Sequence, residues 1–337
     1  MKRNEYFDFI KGLAIIGVIS IHYIGPDTGT LLRYGIQQLI RPSVFIFVFL
    51  AGYFTNCAKI KEKGVGAFVL GRLRRLLVPY AVWTLAQVII FRPMDFLSFT
   101  DLIAKDLCLG LGVGIGYYVI VLVQLTFLTP LLCRMASRHC VATLGLSALI
   151  TGAASVGFYW LNLNFDKVWG LNLPVPVPFI FFVCWLFPYV LGLVVRQEDW
   201  ALEKHRGLLG VMTIFMFLLK LGEAWIWRDC PKLAFGQISL TTLLFSTAVA
   251  LFGMSMKGAN SPIAFASFLG QSSFFIYLTH LPVCSVFKCC LRKFSASFAE
   301  TDLEYIGGLF VILFAYYFLI RVLRRLCSRR FLTIIGV

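Results

Sequence analysis

The stretch MKRNEYFDFIKGLAIIGVISIHYIGP, residues 1–26, decides the fold. A basic start leads into an apolar run that holds one histidine, His22, with Lys11 eleven residues before it. At about 100° per residue, eleven residues end about 20° past three full turns, so Lys11 and His22 share one helix face. They stand ~16 Å apart along the axis. Lys11 then lies near a membrane surface and His22 near mid-depth. An ionisable side chain at that depth is expensive and marks a functional site by default. The uninterrupted apolar core, 12–21, is short for a span and follows a basic start, as in a secretory leader. Glu5 and Asp8 before it, and no small-x-small cleavage signature after His22, favour a retained helix instead. Adding residues 7–11 gives it the length to span.

The rest of the chain has the same character. It is 59% hydrophobic and 14% charged, with mean hydropathy +0.84, whereas a soluble chain carries about 25% charged residues. Apolar stretches recur along the whole length, without the short alternating segments of a β-barrel. The expectation is an all-α, polytopic membrane bundle of about ten transmembrane helices. They fall approximately at 10–26, 37–57, 73–91, 117–133, 140–160, 176–195, 207–226, 237–256, 267–287 and 305–323. No long polar segment could form a separate soluble domain, so residues 1–337 read as one integral membrane unit that must itself carry the function.

Ten helices put both termini on one side. That side gathers 20 basic residues, from Lys2 to the five arginines in 321–330, against six acids. The other side holds 10 basic and 9 acidic residues. The positive-inside bias then places both termini in the cytoplasm of a multi-pass cell-membrane protein. Most of the basic excess sets topology, and part of it can grip an anionic cytoplasmic ligand. Nucleic acid is excluded as a partner, since there is no soluble basic domain and no aromatic-interleaved patch. The ten cysteines follow no metal or redox spacing, and most read as small hydrophobes. Cys108, Cys230, Cys289 and Cys290 fall on the outer side, where a disulfide is possible but unsupported. Residues 92–116 form the longest outer loop and end GLGVGIG, which reads as pliable. PVPVP at 174–178 reads as a stiff lead into the sixth helix.

Four groups could carry chemistry. Asp8 and Lys11 are three apart and can pair across one turn of the helix that holds His22. Imidazole is the side chain best suited to taking a hydroxyl proton near neutral pH; packing against a neighbouring carbonyl is the plainer reading of His22. In RLRRLLVPY at 72–80, Arg72, Arg74 and Arg75 stand at the cytoplasmic mouth of the third helix. Their forks suit phosphate, although a headgroup anchor would look the same. His280, in SSFFIYLTHLP, lies at a depth like that of His22 and reads first as a structural contact. Lys220 and Glu223 are three apart in the seventh helix and read as a stabilising pair, with a proton or ion relay as the sharper alternative. No metal-ligand cluster is visible.

Together these segments resemble the acyltransferase-3 family of membrane acyltransferases. FDFIKGLAIIGVISIH at 7–22 is similar to its first-helix signature of acid, basic residue with glycine, apolar run and histidine. FIFVFLAGYF at 45–54 resembles its second helix. RLRRLLVPY resembles its Arg-x-x-Arg motif leading into Pro-Tyr. YYVIVLVQLTFLTPLL at 117–132 and FFIYLTHLP at 274–282 are similar to its fourth and penultimate helices. Two positions depart from the pattern: Lys11 stands where arginine is common, as in the branch that resembles sugar O-acetylases, and Ala51-Gly52 replaces Ser-Gly. The resemblance implies transfer of an acyl group, usually acetyl, from cytoplasmic acyl-CoA to a hydroxyl of a cell-surface or lipid-linked saccharide. Acetyl-CoA is then a donor substrate and no cofactor is resident. The implied roles are His22 as general base or acyl relay, and Arg72, Arg75 and Lys11 at the donor phosphates. A transporter or flippase of a glycan or small anion is the alternative, against which no matching halves are found. A non-catalytic scaffold would not need the buried charges.

Overall fold

The computed structural model describes residues 4–25, 30–91, 102–168, 177–258, 263–294 and 301–337. Among them no strand occurs. Eight helices are long and apolar enough to cross a membrane, by length and composition: Glu5–Tyr23, Leu31–Tyr53, Val65–Phe91, Tyr117–Arg138, Cys140–Phe158, Leu202–Ile226, Ser273–Leu291 and Asp302–Leu326. Two other apolar helices, Phe182–Gln197 and Leu240–Ser255, are shorter. Each segment expected from the sequence overlaps one of these. The chain is a multi-pass, all-helical membrane protein.

The first helix, α1 (Glu5–Ile24), starts at Asn4, whose side chain accepts the Tyr6 N–H at 3.0 Å, and stops at Gly25 with φ 72°. The second expected helix is two pieces, α2 (Leu31–Leu39) and α3 (Ser43–Tyr53). Pro42 makes the break, because it has no N–H for the Gln38 carbonyl. The chain turns there with the Ser43 N–H and hydroxyl both on the Ile40 carbonyl, at 3.1 and 2.6 Å. Helix α3 runs antiparallel to α1: Gly17 faces Ser43, and Phe7 meets the rings of Tyr53 and Phe54 at 5.1 and 5.0 Å.

Then come α4 (Cys57–Lys63), α5 (Val65–Phe91), α6 (Tyr117–Arg138) and α7 (Cys140–Val168). Two short turns, Val177–Ile180 and Phe182–Trp185, precede α8 (Leu186–Gln197); most of PVPVP lies outside the described residues. After α9 (Arg206–Ile226) and α10 (Leu240–Ser255), the ninth expected segment is also broken, into α11 (Ala264–Gln271) and α12 (Ser273–Phe294). At that break the Arg324 guanidinium donates to Gln271 Oε1 at 3.0 Å and Ser272 Oγ at 2.9 Å. Helix α13 (Asp302–Leu326) and the short α14 (Arg329–Ile335) end the chain.

Close backbone approach at glycines fixes where these helices cross. Gly12 lies against the Ala266 carbonyl and Gly270 against that of Asp8, so α11 is pressed onto α1. Gly52 and Gly192 do the same for α3 and α8, against the carbonyls of Tyr189 and Phe49. Small residues allow the van der Waals packing that drives association in lipid. Pro282 inside α12 frees the Leu278 carbonyl, and Gln87 of α5 takes it up at 2.7 Å.

One local expectation is corrected, and one covalent link is found that the sequence did not suggest. The glycine-rich stretch 110–116 is not slack, though residues 92–101 of that loop lie outside the described residues. Gly110 and Gly114 take φ 75° and 71°, Gly110 packs on Gly116, and the Tyr277 hydroxyl donates to the Ile115 carbonyl. The Tyr80 hydroxyl is shared between the Asp106 and Leu107 carbonyls, at 2.9 and 2.8 Å. The disulfide lies elsewhere than among the outer thiols: Cys57 is bonded to Cys133, tying α4 to α6, while Cys108, Cys230, Cys289 and Cys290 are free.

Candidate active site

Helix α1 is unbroken from Asp8 to His22, so the three charged positions read from the sequence share one rod. Lys11 Nζ lies 3.2 Å from Asp8 Oδ1, with Asp8 buried and Lys11 29% exposed. The same ammonium sits 5.2 Å from the centre of the Phe54 ring. Phe54 borders a cavity of about 640 Å³ walled by α3, α4 and α5. Lys59, Lys63, Arg72 and Arg75 all line it, giving four cations around one hollow. Arg74 points elsewhere, exposed and absent from the lining. Lys59 and Lys63 are cavity residues that the sequence reading counts only as topogenic charge; they sit four apart on α4, one turn from each other.

Arg72 is the braced member of this set. It donates to Thr55 Oγ1 at 2.8 Å, to the Tyr189 hydroxyl at 3.1 Å and to the Ala51 carbonyl at 3.1 Å. Its guanidinium also faces the rings of Phe68 and Tyr189. Tyr189 is fully buried, and its hydroxyl lies 2.7 Å from Thr129 Oγ1 and 3.1 Å from Thr55 Oγ1. Ala51 and Gly52 thus acquire tasks the sequence left blank. The Ala51 carbonyl receives Arg72, and Gly52 lets α8 bring Tyr189 alongside. Arg75 is freer, bonding only the Gly71 carbonyl on its own helix at 3.0 Å.

The far end of α3 leads to His22. The rings of His22 and His280 stand 5.1 Å apart, centre to centre, so α1 and α12 bring together the two histidines of similar depth. His280 is fully buried. Its Nδ1 lies 2.8 Å from the Tyr277 carbonyl and 3.3 Å from that of Ile276. A carbonyl only accepts, so Nδ1 carries the proton and Nε2 keeps a lone pair. Nε2 has no hydrogen-bond partner among the described residues. Its basic nitrogen thus stands unclaimed among the described residues, in a ring pair with His22.

A polar network closes the site on the α2 side. Gln37 Nε2 donates to the Gly25 carbonyl at 2.8 Å, and Arg41 donates to Gln37 Oε1 at 2.7 Å. Lys288 reaches the His22 carbonyl at 3.4 Å. Sequence reasoning passed over Gln37, Gln38 and Arg41. The signal was there: Tyr34, Gln37, Gln38 and Arg41 recur at helical spacing, a polar stripe inside a span. Beside the α2 stripe, Lys220 and Glu223 form the expected pair at 2.8 Å, Lys220 Nζ also lies 3.4 Å from the Ala234 carbonyl next to Phe235, and Ser239 and Thr241 also donate to Glu223. With its partners satisfied, that cluster reads as structural. Among the described residues no group of His, Cys, Asp and Glu is placed to hold a metal ion.

No curated protein and no solved structure matches this chain. A family model described as an acyltransferase domain matches residues 4–321, an interval that takes in the cationic cavity, both histidines and every helix from α1 to α12. The chain belongs to the acyltransferase-3 family of membrane acyltransferases.

Proposed function

We propose that this protein is an O-acyltransferase of the cell membrane that moves an acyl group, most simply acetyl, from cytoplasmic acyl-CoA to a saccharide hydroxyl. In this reading ten helices cross the bilayer, α8 and α10 among them, and both termini face the cytoplasm. The carrying observation is a four-cation cavity beside the Lys11 end of α1 and a histidine pair eleven residues farther along the same helix. A coenzyme A thioester has the matching form, a polyanionic head on a long thin arm. Arg72 and Arg75 would take the phosphates with Lys59 and Lys63, and Lys11 would add its charge at the rim. The arm would then cover the ~16 Å between the levels of Lys11 and His22.

At the top, His22 accepts the proton of the acceptor hydroxyl as its oxygen attacks the thioester carbonyl. The carbon–sulfur bond breaks, and the leaving thiolate takes the proton back from His22. Asp8 holds Lys11 in place at the rim. His280 acts on His22 as a positioning residue, through a nitrogen that can accept a hydrogen bond.

The test is incubation of the purified protein with labelled acetyl-CoA and a candidate glycan. Label on the glycan supports the reading, whereas glycan movement across vesicles without donor selects transport. His22→Ala should cut transfer by ~10²-fold or more while the protein still inserts. Undiminished transfer in that variant contradicts the role of His22.

A further inference from the structure

Arg41 is the charged residue of the α2 stripe, and the scheme above leaves it unused. It lies at the α2–α3 break, between Ser43, which faces Gly17, and Gln37, which holds the Gly25 carbonyl. That bracket along α1 contains His22. Arg41 is 6% exposed. Its contacts among the described residues are the Gln37 amide and the face of the Phe235 ring, 5.2 Å away. No carboxylate pairs with it there, and its Nε has no acceptor. A buried guanidinium without a counter-charge is strongly unfavourable.

Its neighbour is in the same condition. Gln38 is fully buried, and among the described residues neither its amide nitrogen nor its amide oxygen has a partner. The Tyr34 hydroxyl, one turn away on the same stripe, is also buried and unpaired, and its ring meets Phe235 at 5.5 Å. One cation and one hydroxyl-bearing ring thus meet the same aromatic face, and an amide with an unpaired donor and acceptor stands between them on the stripe. A ligand that satisfies all of them carries an anion with hydroxyls next to it.

We propose that Arg41 and Gln38 form a substrate subsite that holds a carboxylate or phosphate next to the group reacting at His22. Resting on the acyl-transfer reading, it makes the favoured substrate an anionic one. The hydroxyl pattern points to an acidic saccharide acceptor, and the same charge on a dicarboxylic acyl donor would meet the same guanidinium.

Binding and turnover test it separately on the purified full chain. The binding probes are a glucuronic acid-terminated disaccharide, its neutral glucose counterpart, a glucose phosphate, succinyl-CoA and acetyl-CoA. Wild type should bind an anionic probe at least about tenfold tighter than its neutral counterpart. Arg41→Gln should bring that ratio to about one, and Arg41→Lys should retain part of it. The sugar pair and the donor pair show which substrate carries the charge. Equal binding of anionic and neutral probes by wild type, which needs no variant, overturns the subsite. So does an unchanged ratio in Arg41→Gln. Arg41-dependent anion binding without acyl transfer would sink the transferase reading and leave the subsite standing. Acyl transfer that ignores substrate charge would do the reverse.

Discussion

At the residue scale the question is what each side chain would lose. His280→Gln keeps a hydrogen-bonding group of similar reach, and His280→Ala removes it. If His280 positions His22, kcat should fall more in the alanine variant, by about 10-fold or more, with donor KM little changed. Equal kcat in wild type and His280→Ala would leave His280 a packing residue. For the donor, Arg72→Ala with Arg75→Ala should raise the KM for acyl-CoA by at least about tenfold, ~1.4 kcal/mol of binding. Tyr189→Phe reaches the same place indirectly, because its hydroxyl is one of three acceptors that aim Arg72. It should raise donor KM a few-fold and leave kcat alone, and an unchanged KM would show that Ala51 and Thr55 suffice.

At the scale of elements, the site depends on how closely α1 is gripped. Gly12 and Gly270 bring the α1 and α11 backbones into direct contact. Any side chain at Gly12 must push the Ala266 carbonyl away. Gly12→Val should therefore cost ~1–3 kcal/mol as an overpacking change, read as a lower melting temperature of the detergent-solubilised protein. A melting temperature equal to that of wild type would mean that the contact can relax. Most elements were legible in the sequence, since lipid demands long apolar runs and those are visible without a structure. The breaks were not. Pro42 sits in a run apolar enough to read as continuous, and the α11–α12 break is bridged by Arg324 from a helix distant in sequence. The histidines were legible because an ionisable group in an apolar run stands out. Arg41 was passed over although its stripe is legible, because a count of loop charges hides a cation at the edge of a span. The role of Ala51 was unreadable in principle, since it is played by the backbone.

For the molecule as a whole, orientation is the property on which the donor scheme turns. Cys289 and Cys290 are exposed near the end of α12, whereas Cys327 follows α13 at the arginine-rich end. In variants that keep one of these thiols, a membrane-impermeant maleimide should label Cys289 on intact cells and Cys327 after permeabilisation. The opposite pattern would invert the scheme. The covalent bond between Cys57 and Cys133 has a consequence of its own. It anchors the segment that presents Lys59 and Lys63 to the four-cation cavity. Dithiothreitol, or Cys57→Ser, should therefore raise donor KM several-fold at constant kcat; the same KM with and without reductant would rule the link out as a determinant. If the link matters, the grip of the four-cation cavity on whatever fills it follows the oxidation state of the surroundings, and an oxidant becomes a dial on turnover.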